Sequence, residues 1–173
     1  MYVPLDQLPA TARVWVYQAD RRLTPAEANL TAAHLRAFCE TWAAHGIELT
    51  TSFELLESRF VVLAVNEERA LPSGCSIDAS VAALRALGGA LGDEGKGVDF
   101  LDKSLIIYQT TAAETATVAR ADLRAAVADG RLTPTTPVFD TLVPTLGALR
   151  TAWRKPAAET WLARYFATEK NVR

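Results

Sequence analysis

The segment Ser73-Gly-Cys-Ser-Ile-Asp78 gathers a thiol, two hydroxyls and a carboxylate into one short stretch. It leads into an apolar pattern (Ile77, Val81, Leu84, Leu91) that predicts a helix, so Cys75 falls at a helix N-terminus. A helix start exposes unpaired N–H groups and a partial positive charge, which favour a thiolate over a thiol. Cys75 then reads as a nucleophile or redox thiol with Asp78 close by. Ser73, Gly74 and Ser76 would meet a bound anion or oxyanion. The same residues suit a plainer role, with Ser73 capping the helix, Asp78 facing its dipole in the first turn and Cys75 packed as a small side chain. A nucleophile also wants a base. The two histidines, His34 and His45, both fall on an earlier predicted helix, His34 on its packed stripe and His45 beside the expected C-terminal cap, Gly46.

A second group lies near the C-terminus. Trp161-Leu-Ala-Arg-Tyr-Phe166 is an aromatic and basic cluster, and Trp161, Arg164 and Tyr165 could anchor a protein partner. Its spacing favours the plainer reading, in which Trp161, Leu162 and Tyr165 pack one helical face onto a core. A third stretch, Gly89 to Gly97, superficially suggests a phosphate loop. A Walker A pattern needs glycine at position 90 and Ser or Thr at 97, where the chain has Ala90 and Gly97. The adjacent pairs Glu67-Glu68 and Asp93-Glu94 point apart on any regular element, and no metal or cofactor site is read from them.

Composition narrows the classes. The chain has 173 residues, 50% hydrophobic and 22% charged, with a formal net charge of −2. Its length predicts one domain, at about 150 residues each. The charge balance argues against nucleic acid as partner, because phosphate neutralisation needs a concentrated basic face. The apolar run Phe60–Val65 is far shorter than the roughly 20 residues of a membrane span, and the N-terminus has no signal-peptide pattern. Two cysteines, Cys39 and Cys75, cannot build a disulfide framework, which points to a reducing cytoplasm.

The elements that must position these groups follow from patterning. Ala12–Gln18 predicts a strand. Thr24, Pro25 and Glu27 predict a capped helix start, with Leu30, His34, Ala37, Phe38, Thr41 and Trp42 as its packed stripe. Glu48–Leu56 and Arg59–Val65 predict a hairpin turning at Glu57-Ser58, and the fully apolar Phe60–Val65 predicts a central strand. The 73–91 helix comes next, then a linker at 92–97 and a strand at 104–109. The order β-α-β-β-α-β predicts an α+β fold with a ferredoxin-like core over residues 1–111. Residues 112–173 are then a C-terminal extension packed on it: a short partner strand at 114–119, a helix at 121–129 closed by Gly130, an extended Leu132–Phe139 and short helical turns.

Several segments carry a resemblance. Tyr2-Val-Pro-Leu-Asp-Gln-Leu-Pro9, Ala12–Ala19, Ser73–Val81 with its Gly-Cys-Ser-Ile-Asp core, Thr136–Val143 and Trp161–Phe166 together resemble a family of uncharacterised bacterial proteins. Its members often carry the label ABC transporter ATPase. The resemblance spans nearly the whole chain and implies, through that label alone, nucleotide hydrolysis; the missing Walker A pattern counts against it. Separately, Ala121–Phe139 is similar to the C-terminal half of GYF-like adaptor domains, which implies peptide binding.

Taken together, the sequence favours a non-catalytic binding or interaction domain for a protein partner or small ligand, with homodimerisation through a sheet face open. The alternative is a thiol-dependent enzyme or redox sensor built on Cys75.

Overall fold

The computed structural model describes residues 1–92, 97–111 and 114–167. The Asp93-Glu94 pair and most of the expected linker lie outside them. The fold is α+β with antiparallel sheets, and the chain divides into two units, residues 1–102 with 141–150 and residues 103–140 with 151–173. The boundary expected at 111 therefore falls inside the second unit, which returns a ten-residue segment to the first.

The first unit is built on β1 (Arg13–Gln18), α1 (Pro25–Thr41), the short strands β2 (Ala43–Ala44) and β3 (Ile47–Glu48), β4 (Thr50–Leu56), β5 (Phe60–Asn66) and α2 (Gly74–Ala90). Its main sheet has the order β1-β5-β4, antiparallel throughout, so β5 splits the β1-α1-β4 unit. Phe60 to Val65 are all fully buried, because the central strand is covered on both faces. Val61, Leu63 and Val65 share one core with Leu35 and Cys39 of α1 and Leu84 and Leu87 of α2.

The β4–β5 hairpin turns where its spacing placed it. Glu57 (φ 54°) and Ser58 (φ 51°) both adopt left-handed backbone, the conformation a two-residue primed turn requires of any residue placed there. The start of α1 also follows its sequence. The Thr24 hydroxyl accepts from the Glu27 amide at 3.2 Å, and the Glu27 carboxylate accepts from the Thr24 amide at 2.8 Å.

Two expectations about α1 are corrected. The buried stripe of α1 is Glu27, Thr31, Leu35 and Cys39, while Leu30 is 59% exposed. The two stripes are one residue apart, and Phe38 and Trp42 of the expected one still pack against the core beside Leu35 and Cys39. Gly46 does not cap α1. That helix ends at Thr41, and His45 (φ 52°) with Gly46 (φ 79°) turns the β2–β3 hairpin instead.

The fourth strand of the ferredoxin-like pattern, Leu105–Gln109, pairs in the second unit. It has a hairpin partner a few residues on, and that local pairing closes a much shorter loop than a return to β1 would. The open edge of β1 is covered piecewise: Gln18 bridges Leu101 in parallel and Arg13 bridges Thr145 antiparallel.

The second unit contains β6 (Leu105–Gln109), β7 (Thr115–Ala119), α3 (Leu123–Ala128), β8 (Pro137–Phe139) and β9 (Arg154–Pro156). α4 (Leu146–Ala152) precedes β9 in the chain. The sheet order is β7-β6-β8-β9. Tyr108, Val118, Leu123, Ala126, Leu132, Val138, Ala157 and Leu162 form its core. The last of the expected short helical turns resolves into two 3-10 helices, Ala157–Glu159 and Trp161–Tyr165.

Candidate interaction site

The 3-10 helix Trp161–Tyr165 sets its own facing. Thr160 caps it, its hydroxyl accepting from the Leu162 amide at 3.2 Å. A 3-10 helix has three residues per turn, so positions three apart eclipse. Leu162 and Tyr165 therefore share the inward side, where Leu162 is buried and Tyr165 packs against the unit's core. Trp161 and Arg164 share the outward side, and Trp161 is 39% exposed. Of the two aromatic residues with alternative packed and outward readings, Trp161 turns out and Tyr165 packs inward.

Cations converge on that exposed indole. The Arg164 guanidinium lies 5.1 Å from the Trp161 ring centroid and 5.1 Å from that of Tyr165. Arg120, directly after β7, lies 4.7 Å from the same Trp161 ring. Trp161 and Tyr165 meet edge-on at 6.1 Å. Beside them is a cavity of about 530 Å³ lined by Arg124, Val127, Arg164 and Tyr165. Among the described residues, no carboxylate is ion-paired with Arg120, Arg124 or Arg164. Each cation–π contact at such an exposed site contributes about 0.5–1 kcal/mol, while the arginines repel one another. An anion placed among them meets the complementary charge of guanidinium groups held in position by the rings.

Trp161, Arg164 and Tyr165 are legible from their clustering in sequence. Arg120 and Arg124 are not, since nothing local links them to a segment so far along the chain. Their spacing of four, across the start of a short helix, is the one available signal.

The Ser73–Asp78 segment is spent mainly on starting α2. The Ser73 hydroxyl accepts from the Ser76 amide at 3.2 Å, and the Ser76 hydroxyl accepts from the Ser73 amide at 2.8 Å. Ser76 is buried, and its carbonyl accepts from the Trp42 indole N–H at 2.8 Å, tying the end of α1 to the start of α2. Gly74, Cys75 and Asp78 are exposed, with Cys75 and Asp78 three residues apart on one helix face. Asp78 lies beyond the first turn of α2, which contains no acidic residue, so it is not the dipole partner expected there. Cys75 lines neither the cavity described above nor the one in the first unit, of about 340 Å³, between Leu84, Gly88, Asp99 and Phe100.

Cys39 is buried and its thiol is pushed up to about 11, chiefly by desolvation, with a smaller opposing effect of Thr51. Among the described residues, no group of three His, Cys, Asp or Glu side chains could hold a metal ion. Nor is any helix there long and apolar enough to cross a membrane.

Comparison of the chain with protein-family models, with curated proteins and with solved structures finds no match in any of the three.

Proposed function

We propose that the protein is a non-catalytic interaction domain that holds an acidic segment of a partner protein on its second unit. One observation carries this reading: two arginines, Arg120 and Arg164, lie against the exposed Trp161 ring without a paired carboxylate among the described residues. Anchors of this composition, Trp, Tyr and Arg in one cluster beside a cavity, are the side chains that dominate binding energy at protein interfaces. The first unit serves in this reading as a ferredoxin-like frame, supported by the split β1-α1-β4 arrangement with β5 inserted. Two free cysteines fit a cytoplasmic setting.

The thiol reading retains one supporting feature, the exposure of Cys75 on the first turn of α2. Its intended helpers Ser73 and Ser76 bond each other instead.

The test is fluorescence anisotropy of a labelled glutamate-rich peptide against the full chain. Micromolar to millimolar binding that falls about tenfold or more in Trp161→Ala and in Arg164→Ala is expected. Equal binding by wild type and both variants, or none at millimolar protein, sinks the reading.

A further inference from the structure

The partner's backbone can be read from the sheet beside this cluster. β7 is an outer strand, and among the described residues no strand pairs with its far edge. The Arg120 amide donates to the Ser104 carbonyl at 2.7 Å, and the Thr110 amide donates to the Glu114 carbonyl at 3.0 Å. These bonds fix the ladder at both ends of the register Leu105↔Ala119 to Gln109↔Thr115. Bonded and non-bonded pairs alternate in an antiparallel ladder. Both ends agree: Val118 with Ile106 and Ala116 with Tyr108 exchange the bonds. The amides of Thr117 and Ala119 consequently aim away from β6.

Among the described residues that edge lacks the side-chain protections of natural edge strands. Thr115-Ala-Thr-Val-Ala119 has no proline and no charge, where natural edge strands place lysine, proline or a bulge. Ala116 and Val118 face the core, and Thr117 is exposed. The strand runs directly into Arg120, whose guanidinium sits on Trp161. A backbone edge that invites a strand thus ends in a cationic aromatic cluster that invites a carboxylate.

We propose that the acidic partner segment binds extended, pairing with the outer edge of β7 through Thr117 and Ala119 and placing a carboxylate among Arg120 and Arg164. This deepens the proposed function and rests on it. Main-chain pairing supplies affinity independent of sequence, and the arginines select for acidic side chains.

The experiment uses the full chain and the peptide acetyl-Val-Glu-Val-Glu-Val-Glu-Val-amide, alongside the same peptide N-methylated at alternate residues. Thr117→Pro removes an amide that β6 does not use, so the hairpin keeps its ladder; circular dichroism checks this. The expected results are binding weakened about tenfold by Thr117→Pro and by N-methylation, roughly the loss of one or two net hydrogen bonds. The amides of Thr117 and Ala119 should also exchange at least about tenfold more slowly in the complex. If Arg164→Ala abolishes binding while Thr117→Pro and N-methylation leave it intact, the cluster binds acidic segments but strand addition is wrong. If no variant changes binding, both fail. A wild-type dimer that Thr117→Pro converts to monomer would assign the edge to a second copy and overturn the proposal.

Discussion

The guanidinium of Arg120 lies 4.7 Å from the centroid of the Trp161 indole, joining the end of β7 to a 3-10 helix far along the chain. Arg164 reaches the same ring at 5.1 Å by the eclipsed geometry of that helix. The pairing makes Trp161 the hub of the second unit's exposed charge. Trp161→Leu should keep the fold, because the ring is outside the core, while releasing both arginines. A melting temperature lowered by about 2–8 °C, measured by circular dichroism, is the expected outcome for the loss of two cation–π contacts.

Glu27 governs an acid limb. Its carboxylate accepts two bonds from Arg21, at 2.9 and 2.6 Å, and one from the Thr24 amide, at 2.8 Å. The Arg21 hydrogen bonds, chiefly, hold its carboxyl down from 4.5 to about 2. A group depressed on folding contributes its full stabilisation above the unfolded value and loses it as pH falls towards the folded one. Glu27→Gln keeps a capping-box acceptor and should therefore cost about 1–2 kcal/mol at pH 6 through loss of the charge-assisted bonds to Arg21. In urea titrations the gap between variant and wild type should narrow as pH falls from about 4.5 to about 2.

The β4–β5 turn stores removable strain. Ser58 holds a left-handed φ of 51° with a Cβ present, which costs roughly 1 kcal/mol relative to glycine. Ser58→Gly should raise the urea midpoint by an amount near that value, less the added freedom of the unfolded chain.

Gly88 tests the opposite case. A Cβ there would collide with the Val98 carbonyl oxygen, and the Val98 amide donates to the Gly88 carbonyl at 2.9 Å. Both groups are backbone, so neither can swing aside. Gly88→Ala should destabilise by about 1–3 kcal/mol despite alanine's better helix propensity, measured by the same titration.

The two cysteines should separate cleanly. Cys39 is buried, with its thiol raised to about 11, whereas Cys75 is exposed. Native protein should take one equivalent of iodoacetamide at Cys75, and a second only on unfolding, read by intact mass.

Much of this was legible in residues whose signals are local. Thr24, Pro25 and Glu27 define a helix start within one turn, and Phe60–Val65, apolar at every position, points to a central, covered strand. The Glu57-Ser58 turn followed from spacing although its residues are poor ones for it. What failed was choice between near-equivalent partners. Leu30 and Thr31 compete for the inward position of α1, and burial of Thr31 depends on the sheet it meets. The 105–109 strand could complete either sheet, and pairing with β7 decided it. At the candidate site, Trp161, Arg164 and Tyr165 cluster in sequence, but Arg120 joins them only through the folded hairpin.

The most direct measurement is a two-dimensional amide and indole spectrum of the full chain titrated with the valine–glutamate peptide. Trp161 is the exposed indole, while Trp42 and Trp153 are buried and Trp15 is half-buried. The Trp161 indole N–H should shift saturably while those three hold still. The apparent affinity should fall as salt rises from about 50 mM to about 500 mM, because screening weakens the carboxylate–arginine attraction. A Trp161 resonance unmoved at millimolar peptide, or one that shifts equally in Arg164→Ala, would contradict the account.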